Sequence, residues 1–109
     1  MKIAIVGSRN ISGIDIGKYV SAWDEIVSGG AMGVDSCAAA CAKEHGLHLT
    51  VFLPQYARYG RAAPLLRNKE IVDFADKIIA FWDGKSKGTL SVITYAQKHG
   101  KVCEIVYCR

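Results

Sequence analysis

Short apolar runs alternate with runs of helical character along this chain, and this alternation restricts the possible folds more than any other feature. The first apolar run, Lys2–Val6, is almost uninterrupted, which is typical of a strand buried on both faces of a sheet. Five such runs with four helices between them predict an α/β fold with a mostly parallel sheet. Right-handed crossovers favour the strand order 3-2-1-4-5, with helices on both faces of the sheet.

The predicted elements alternate strictly. The strands are Lys2–Val6, Asp24–Val27, Leu47–Leu53, Asp76–Phe81 and Lys101–Val106, and the helices are Ser12–Trp23, Val34–Glu44, one that begins at Pro64, and Leu90–His99. The longest segment predicted to be irregular is Gln55–Ala63. Because the chain has 109 residues and half of them are apolar, we expect one small, three-layer Rossmann-like domain over residues 1–109.

Composition argues against several classes of protein. No apolar run approaches the roughly 20 residues of a membrane-spanning helix, and the first apolar run is too short for a secretory signal. We therefore expect a cytoplasmic protein with no membrane partner. The four cysteines complete no CxxC pair and no Cys/His cluster, so we predict no metal site and no cofactor. The formal charge of +4 is compatible with nucleic acid or another phosphate-bearing partner.

The stretch Ser28-Gly29-Gly30-Ala31-Met32-Gly33-Val34-Asp35 joins the second predicted strand to the second predicted helix. Glycines at such a junction allow a tight turn, positive φ and close approach of a ligand to the backbone. The unpaired amides at the start of the helix attract an anion. Many α/β proteins use glycine at this place for the turn alone, so the meaning of the stretch depends on the neighbouring loops.

Four loops are predicted to meet at the carboxyl edge of the sheet, where ligands of doubly wound folds bind between strands one and four. They are residues 7–10, 28–35, 55–67 and 82–89. Glycines and hydroxyls lie in them beside predicted helix starts, together with the basic residues Arg9, Arg58, Arg61, Arg67, Lys85 and Lys87. This combination of unpaired amides, hydroxyls and positive charge predicts a site for a ligand that carries phosphate.

The candidate binding residues come from these four loops. They are Gly7, Ser8, Arg9, Ser28, Gly29, Gly30, Gly33, Asp35, Tyr59, Arg61, Arg67, Asn68, Trp82, Asp83, Gly84, Ser86, Gly88 and Thr89. The turn amides and the side chains of Arg67, Ser86 and Thr89 are predicted to hold phosphate. Each residue also has a purely structural interpretation, since serine and threonine at a helix start cap the helix without any ligand.

Two further roles are predicted within the same set of residues. Asp35 and Asn68 are expected to hold a ribose or to fix the loops. Asp35 can equally well stabilise its own helix by interacting favourably with the helix dipole. Tyr59 or Trp82 is expected to flank a base, although a tryptophan at the end of a buried strand belongs to the core at least as often.

The motifs resemble those of the YspA-like branch of the SLOG superfamily, which groups Rossmann-like domains related to the DNA-processing protein DprA (Smf) and to the LOG phosphoribohydrolases. The matching segments are Gly7-Ser8-Arg9, Ser28-Gly29-Gly30-Ala31-x-Gly33-Val34-Asp35, Tyr59-Gly60-Arg61-Ala62-Ala63-Pro64-x-x-Arg67-Asn68 and Trp82-Asp83-Gly84-x-Ser86-x-Gly88-Thr89, and together they span nearly the whole chain. The resemblance implies binding of a nucleotide or a nucleotide-derived signal, and a homodimer.

The better-understood relatives imply two alternatives. LOG enzymes cleave the N-glycosidic bond of a nucleoside 5′-monophosphate with an arginine, matched here by Arg67, and a motif glutamate, whose position is occupied by Val92. Valine cannot stabilise an oxocarbenium-like transition state or activate water. Such an enzyme would need another carboxylate, so its catalytic candidates are Arg67 and Asp35, with Asp83 and Glu70 as further carboxylates. DprA-like proteins bind single-stranded DNA, our third hypothesis, for which a charge of +4 is modest.

Overall fold

The protein is described by a computed structural model that covers residues 1–30 and 33–108. Two residues of the glycine-rich 28–35 stretch, Ala31 and Met32, therefore lie outside the described residues. Within the described part of the chain, the longest helices have 12 residues and none is long and apolar enough to cross a membrane.

All five strands are parallel and follow the order β3-β2-β1-β4-β5, which confirms the predicted topology. The strands are β1 (Lys2–Gly7), β2 (Glu25–Ser28), β3 (Leu49–Val51), β4 (Lys77–Trp82) and β5 (Val102–Tyr107). The α-helices are α1 (Val34–His45), α2 (Tyr56–Tyr59), α3 (Ala63–Phe74) and α4 (Lys87–Lys98). Gly46 ends α1 in the left-handed conformation, as expected of a glycine after the last helical residue.

Helices cover both faces of the sheet and produce two separate cores. Ile3 and Ile5 of β1 and Phe81 of β4 pack with α1 on one face. The alternate residues Ala4 and Val6 of β1 pack with α3 and α4 on the other face. Because side chains of a strand alternate between faces, a central strand covered on both faces must be apolar throughout. This requirement explains the uninterrupted apolar runs that predicted the sheet.

The predicted helix Ser12–Trp23 is wrong, because this segment contains only one 3-10 turn, Ile16–Lys18. Gly13 adopts φ +69°, which a helix does not contain, and Gly17 adds a second poor helix former. Ile16 is nevertheless buried against the α1 face, whereas Trp23, expected on the same apolar side, is 90% exposed. The crossover connection from β1 to β2 therefore has little regular secondary structure.

Two further differences concern the region around β3. The segment Gln55–Ala63, expected to be irregular, contains the helical turn α2 and the 3-10 turn Gly60–Ala62, which lead directly into α3. The strand predicted as Leu47–Leu53 shortens to Leu49–Val51. This strand lies at the edge of the sheet, so only one neighbour, β2, provides hydrogen-bond partners for it.

Candidate functional site

A crevice of about 450 Å³ opens at the carboxyl ends of β1 and β4, where the chain leaves the two strands toward opposite faces of the sheet. Its lining residues are Val6, Gly7, Ser8, Arg9, Asn10, Gly29, Asp35, Pro64, Arg67, Asn68, Ile71, Ser86, Gly88, Thr89 and Val92. All four loops selected from the sequence contribute to it. The buried side chains of Val6, Ile71 and Val92 form an apolar part of the lining.

The crevice brings together more than half of the candidate residues. Those that line it are Gly7, Ser8, Arg9, Gly29, Asp35, Arg67, Asn68, Ser86, Gly88 and Thr89, whereas Ser28, Gly30, Gly33, Tyr59, Arg61, Trp82, Asp83 and Gly84 lie outside the lining. The candidate set omitted Asn10 and Pro64, although both belong to selected loops. It also omitted Val6 and Ile71, because apolar residues in a strand or on a helix stripe predict the hydrophobic core and do not indicate a binding site.

The glycine-rich turn after β2 depends on backbone conformations that favour glycine. Gly30 and Gly33 have φ values of +71° and +72°. The Ser28 hydroxyl is buried and accepts a hydrogen bond from the Gly30 amide at 3.4 Å. Gly33 also lies directly against the backbone of residues 9–11, so that the loop after β1 packs on the start of α1. Ser28, Gly30 and Gly33 therefore lie outside the crevice lining and fix the backbone conformation of the turn that forms its wall.

Arg67 connects three segments of the crevice wall. Its Nη1 donates to the carbonyl oxygens of Gly29, at 2.6 Å, and Phe52, at 3.4 Å, and its Nε donates to Asn68 Oδ1 at 2.9 Å. Burial lowers the pKa of the Arg67 guanidinium from its usual value, and the nearby Asp35 carboxylate opposes this shift. Arg67 thus holds the turn after β2 and the end of β3 against α3.

Asp35 provides the carboxylate of the crevice. It lies in the first turn of α1 and is 8% exposed. A carboxylate at this end of a helix is stabilised by the helix dipole and by unpaired amides. Among the described residues that line the crevice, the Asp35 carboxylate lies with the positive charges of Arg9 and Arg67, and Arg9, unlike Arg67, is exposed.

The turn between β4 and α4 is fixed by two of the candidate residues. Asp83 Oδ1 accepts hydrogen bonds from the amides of Lys85, at 2.8 Å, and Ser86, at 2.7 Å. Trp82 Nε1 donates to the Ser86 carbonyl oxygen at 3.0 Å, and its ring packs on Tyr107 with centroids 5.8 Å apart. Asp83 and Trp82 therefore position the start of α4 from outside the crevice lining.

Acid is expected to loosen this turn. The amides of Ser86 and Lys85, helped by the Ser8 and Asn10 side chains, lower the pKa of Asp83 from 3.8. A carboxyl whose pKa is lower in the folded state stabilises the fold above the unfolded value, and this contribution disappears as pH falls through the folded value. Asp83→Asn should therefore lower the melting temperature at neutral pH and flatten its decline below about pH 4. Thermal unfolding across pH, with the exposed Asp15→Asn as control, measures this; equal acid profiles for Asp83→Asn and wild type would contradict it.

Tyr59 and Arg61 lie on the surface, in α2 and in the 3-10 turn that follows it. The Arg58 guanidinium carbon is 5.1 Å from the centroid of the Tyr59 ring, which is an exposed cation–π contact. Neither candidate enters the crevice lining. The sequence assigned both residues to an irregular loop and could not give the direction of their side chains.

Ser8 stands apart from the other hydroxyls of the crevice. It is 2% exposed, and its Oγ has no hydrogen-bond partner among the described residues. The Ser8 hydroxyl is near enough to the Asp83 carboxylate to lower the pKa of Asp83. The two groups nevertheless do not meet the geometric criteria of a hydrogen bond. Leaving a buried hydroxyl unpaired costs about 1–3 kcal/mol. The Ser8 hydroxyl is therefore a group that a bound ligand would satisfy.

The start of α4 offers further unpaired donors close to Ser8. Ser86 is the N-cap residue, yet its side chain caps no amide, and its hydroxyl accepts a hydrogen bond from Thr89 Oγ1 at 3.4 Å. The first amides of a helix have no partner within the helix. Gly88 and Thr89 belong to this first turn and line the crevice. This end of the crevice is thus suited to an anion.

The fold has a known counterpart. Neither a family model nor a curated protein matches the sequence. A solved structure of DNA processing protein A from Helicobacter pylori, studied for its single-stranded DNA binding mode, superposes with a TM-score of 0.74 at 21% sequence identity. The match covers 100% of this chain and 66% of that chain. At this level of identity the likeness concerns the fold alone.

Proposed function

We propose that the crevice binds a nucleotide, or a nucleotide-derived ligand that carries phosphate. The observation that supports this proposal most directly is the buried Ser8 hydroxyl, which lacks a partner among the described residues and lies where the loop after β1 meets the start of α4. Phosphate oxygens accept hydrogen bonds from a hydroxyl and from helix-start amides at the same time. A ligand of this kind would satisfy both sets of donors.

The remaining lining residues suit the other parts of a nucleotide. In our proposal, Ser86 and Thr89 support the phosphate, and the Asp35 carboxylate accepts hydrogen bonds from ribose hydroxyls. Arg67 contributes its charge, but its contacts with Gly29 and Phe52 make it chiefly a residue that positions the backbone. The exposed Arg9 adds positive charge at the entrance, which increases the rate of encounter with anions.

We also propose that the chain is a cytoplasmic, single-domain member of the SLOG superfamily. The four motifs in the expected order support this, as does the fold shared with DNA processing protein A. The YspA-like branch and the homodimer implied by that resemblance remain parts of the proposal. A measurement of the protein's mass in solution tests the homodimer.

Ser8→Ala tests the phosphate site through a large effect on binding and a small effect on stability. In a thermal-shift and calorimetric screen of mononucleotides, dinucleotides and cyclic nucleotides, we expect wild type to bind at least one ligand. The variant should bind it about 10-fold more weakly, because one hydrogen bond to a charged group is lost. Without ligand, Ser8→Ala should change the melting temperature little, because losing the unpaired hydroxyl offsets losing its favourable effect on the Asp83 carboxylate.

The matched control is Ser36→Ala, which removes an exposed hydroxyl from α1. It should change neither affinity nor the melting temperature in the presence of ligand. A screen in which no nucleotide shifts the melting temperature of wild type would reject the proposed function. Equal affinity of wild type and Ser8→Ala would reject the role of Ser8.

A second candidate function is the binding of single-stranded DNA. It is favoured by the fold likeness to DNA processing protein A, a protein with a single-stranded DNA binding mode. A phosphodiester of a DNA strand would use the same donors at the start of α4 as a free nucleotide. The length of the bound ligand, and not the chemistry of the crevice, therefore separates the two candidates.

Hydrolysis of a nucleotide has weaker support. Val92, which the motif resemblance matches to the LOG-type glutamate, is buried and lines the crevice. Of the alternative carboxylates, Asp35 lines the crevice, whereas Glu70 and Asp83 do not. Since Asp35 is also the group best placed to accept hydrogen bonds from ribose hydroxyls, we propose binding and assign no catalytic step.

A further inference from the structure

The sheet has two edge strands, and they differ in length. β3 forms one edge with three residues, whereas β5 forms the other with six, paired to β4 in an unbroken parallel register. Proteins protect edge strands by shortness, lysine, proline, a bulge or a covering element. β5 has none of these within the described residues, where the elements packed on it are β4 and α4. We infer that the β5 edge pairs in antiparallel fashion with β5 of a second copy of this chain, a contact surface that the motif resemblance does not supply.

The composition of β5 suits a strand inside a sheet. Val102 and Tyr107 are 63% and 69% exposed, although both residue types favour strands with neighbours on each side. Glu104 is the charged residue of the strand, and its Oε1 lies 3.6 Å from Nζ of Lys77 in β4. The edge therefore presents apolar side chains together with a carboxylate that is already ion-paired.

The backbone groups of alternate residues point outward from this edge. The Cys108 amide donates to the Trp82 carbonyl oxygen at the end of β4, at 2.8 Å. In a parallel ladder, the N–H and C=O of one residue point to the same side, and those of the next residue point to the other side. The amides and carbonyl groups of Cys103, Ile105 and Tyr107 are therefore directed away from β4, where a further strand can bond to them.

One antiparallel register satisfies these outward groups. A two-fold axis perpendicular to the sheet keeps its two faces distinct, so residues that pair must lie on the same face. With Ile105 on the axis, Ile105 pairs with its own copy and Cys103 pairs with Tyr107 of the partner subunit, so every outward group gains a hydrogen bond. With Glu104 on the axis, two carboxylates would oppose each other across about 4.5 Å between Cα atoms, which is unfavourable. With Val106 on the axis, the Cys103 groups would lie beyond the end of the partner strand.

Helix α4 adds to the contact between the two copies. It packs on both β4 and β5, and neighbouring strands lie about 4.8 Å apart. Two copies of α4 on the same face of a continuous sheet are therefore roughly 10 Å apart, near the usual distance between packed helices. Tyr95 bonds to Asp73 and so marks the flank of α4 that faces α3. Leu90 and Gln97 lie about 150° around the helix from Tyr95, on the flank that faces the partner, and both are exposed in the single chain.

A disulfide tests the register directly. In this register Val102 pairs with Cys108 of the partner subunit, at a non-hydrogen-bonded position with Cα atoms about 4.5 Å apart, which suits a disulfide. Under mild oxidation, Val102→Cys should form a cross-linked dimer, whereas Val102→Cys/Cys108→Ser should not. Within one chain the two positions are about 20 Å apart along the strand, so the bond can join only two copies. Leu53→Cys is the matched control, because Leu53 is also 63% exposed but follows the opposite edge strand, and it should not exceed the wild-type background.

Tyr107→Pro tests the same edge without an introduced thiol. Because the Tyr107 amide points outward, proline removes a hydrogen bond to the partner and none within the chain. Symmetry removes this bond twice, so the dimer should dissociate about 10-fold more readily in sedimentation equilibrium. Circular dichroism should show the same secondary structure as in wild type, and nucleotide binding at the crevice should be unchanged.

The interface, the homodimer and the proposed function can fail separately in these experiments. A wild-type protein that stays monomeric at roughly 100 μM, with no cross-link in Val102→Cys, would overturn the interface. A dimer that Tyr107→Pro leaves intact, or a cross-link that persists without Cys108, would place the contact elsewhere and overturn the interface while retaining the homodimer. The β5 edge takes no part in the crevice, so a failure to bind any nucleotide would reject the proposed function and leave the interface standing.

Discussion

Gly33→Ala is expected to lower the free energy of unfolding by at least about 3 kcal/mol. Gly33 precedes α1 with φ 72° and ψ −120°, a combination that residues with a Cβ rarely adopt. A Cβ at this position would also lie 2.8 Å from the Ile11 carbonyl oxygen and equally close to the Arg9 carbonyl carbon. Both are backbone atoms and cannot rotate away. The loop after β1 must therefore shift. Urea unfolding with linear extrapolation measures the resulting loss in the free energy of unfolding.

Gly60→Ala separates the two causes of this effect. Gly60 has nearly the same backbone conformation, φ 57° and ψ −130°, but a Cβ there would meet no atom within 4 Å. It should therefore cost only the backbone strain, about 1–2 kcal/mol. If Gly33→Ala and Gly60→Ala lose equal stability, the close contact between the loop after β1 and the start of α1 is unimportant. If Gly33→Ala alone also loses nucleotide binding, that contact shapes the crevice.

The sheet could be predicted from the sequence because its physical requirements are local. A strand such as β4, covered on both faces, needs an apolar residue at nearly every position, and Lys77–Trp82 provides it. The segment 12–23 was mispredicted for the opposite reason. Spacing of Ile16, Tyr19 and Val20 is typical of a helix, yet one 3-10 turn suffices to bury Ile16. The periodicity of apolar residues over so short a segment cannot distinguish a helix from an irregular connection that contains a single turn.

The location of the crevice was also predictable, since topology alone brings four loops to one edge of the sheet. The roles of individual side chains were not. Arg67 is predicted to hold phosphate, and the structure shows its guanidinium bonded to backbone carbonyl groups 38 and 15 residues away in sequence and to the side chain of the next residue, Asn68. Trp82 was expected to flank a base, yet its indole N–H bonds the turn four residues later. Such partners depend on distances between elements, about which a single sequence carries no signal.

Arg67→Ala is expected to destabilise the protein by about 2 kcal/mol and to weaken nucleotide binding, because it releases the Gly29 carbonyl group from a charged donor. Arg67→Lys should lie between wild type and Arg67→Ala, since a lysine can serve one carbonyl group but lacks the planar fork. Urea unfolding gives the stability of each variant. Unchanged stability of Arg67→Ala would mean that the guanidinium is available to the ligand and does not position the backbone.

Gly29→Ala provides the partner for a double-mutant cycle with Arg67→Ala. A Cβ on Gly29 would lie 2.6 Å from Arg67 Nη1 and 2.9 Å from Cζ, so alanine displaces the guanidinium. Both single variants then lose the same hydrogen bond, and the double variant should be about 1–2 kcal/mol more stable than the two losses predict together. Gly29→Ala should also reduce nucleotide affinity although it changes no charge. Additive losses would show that the two residues act independently, and the wall of the crevice would then owe its shape to the glycine-rich turn alone.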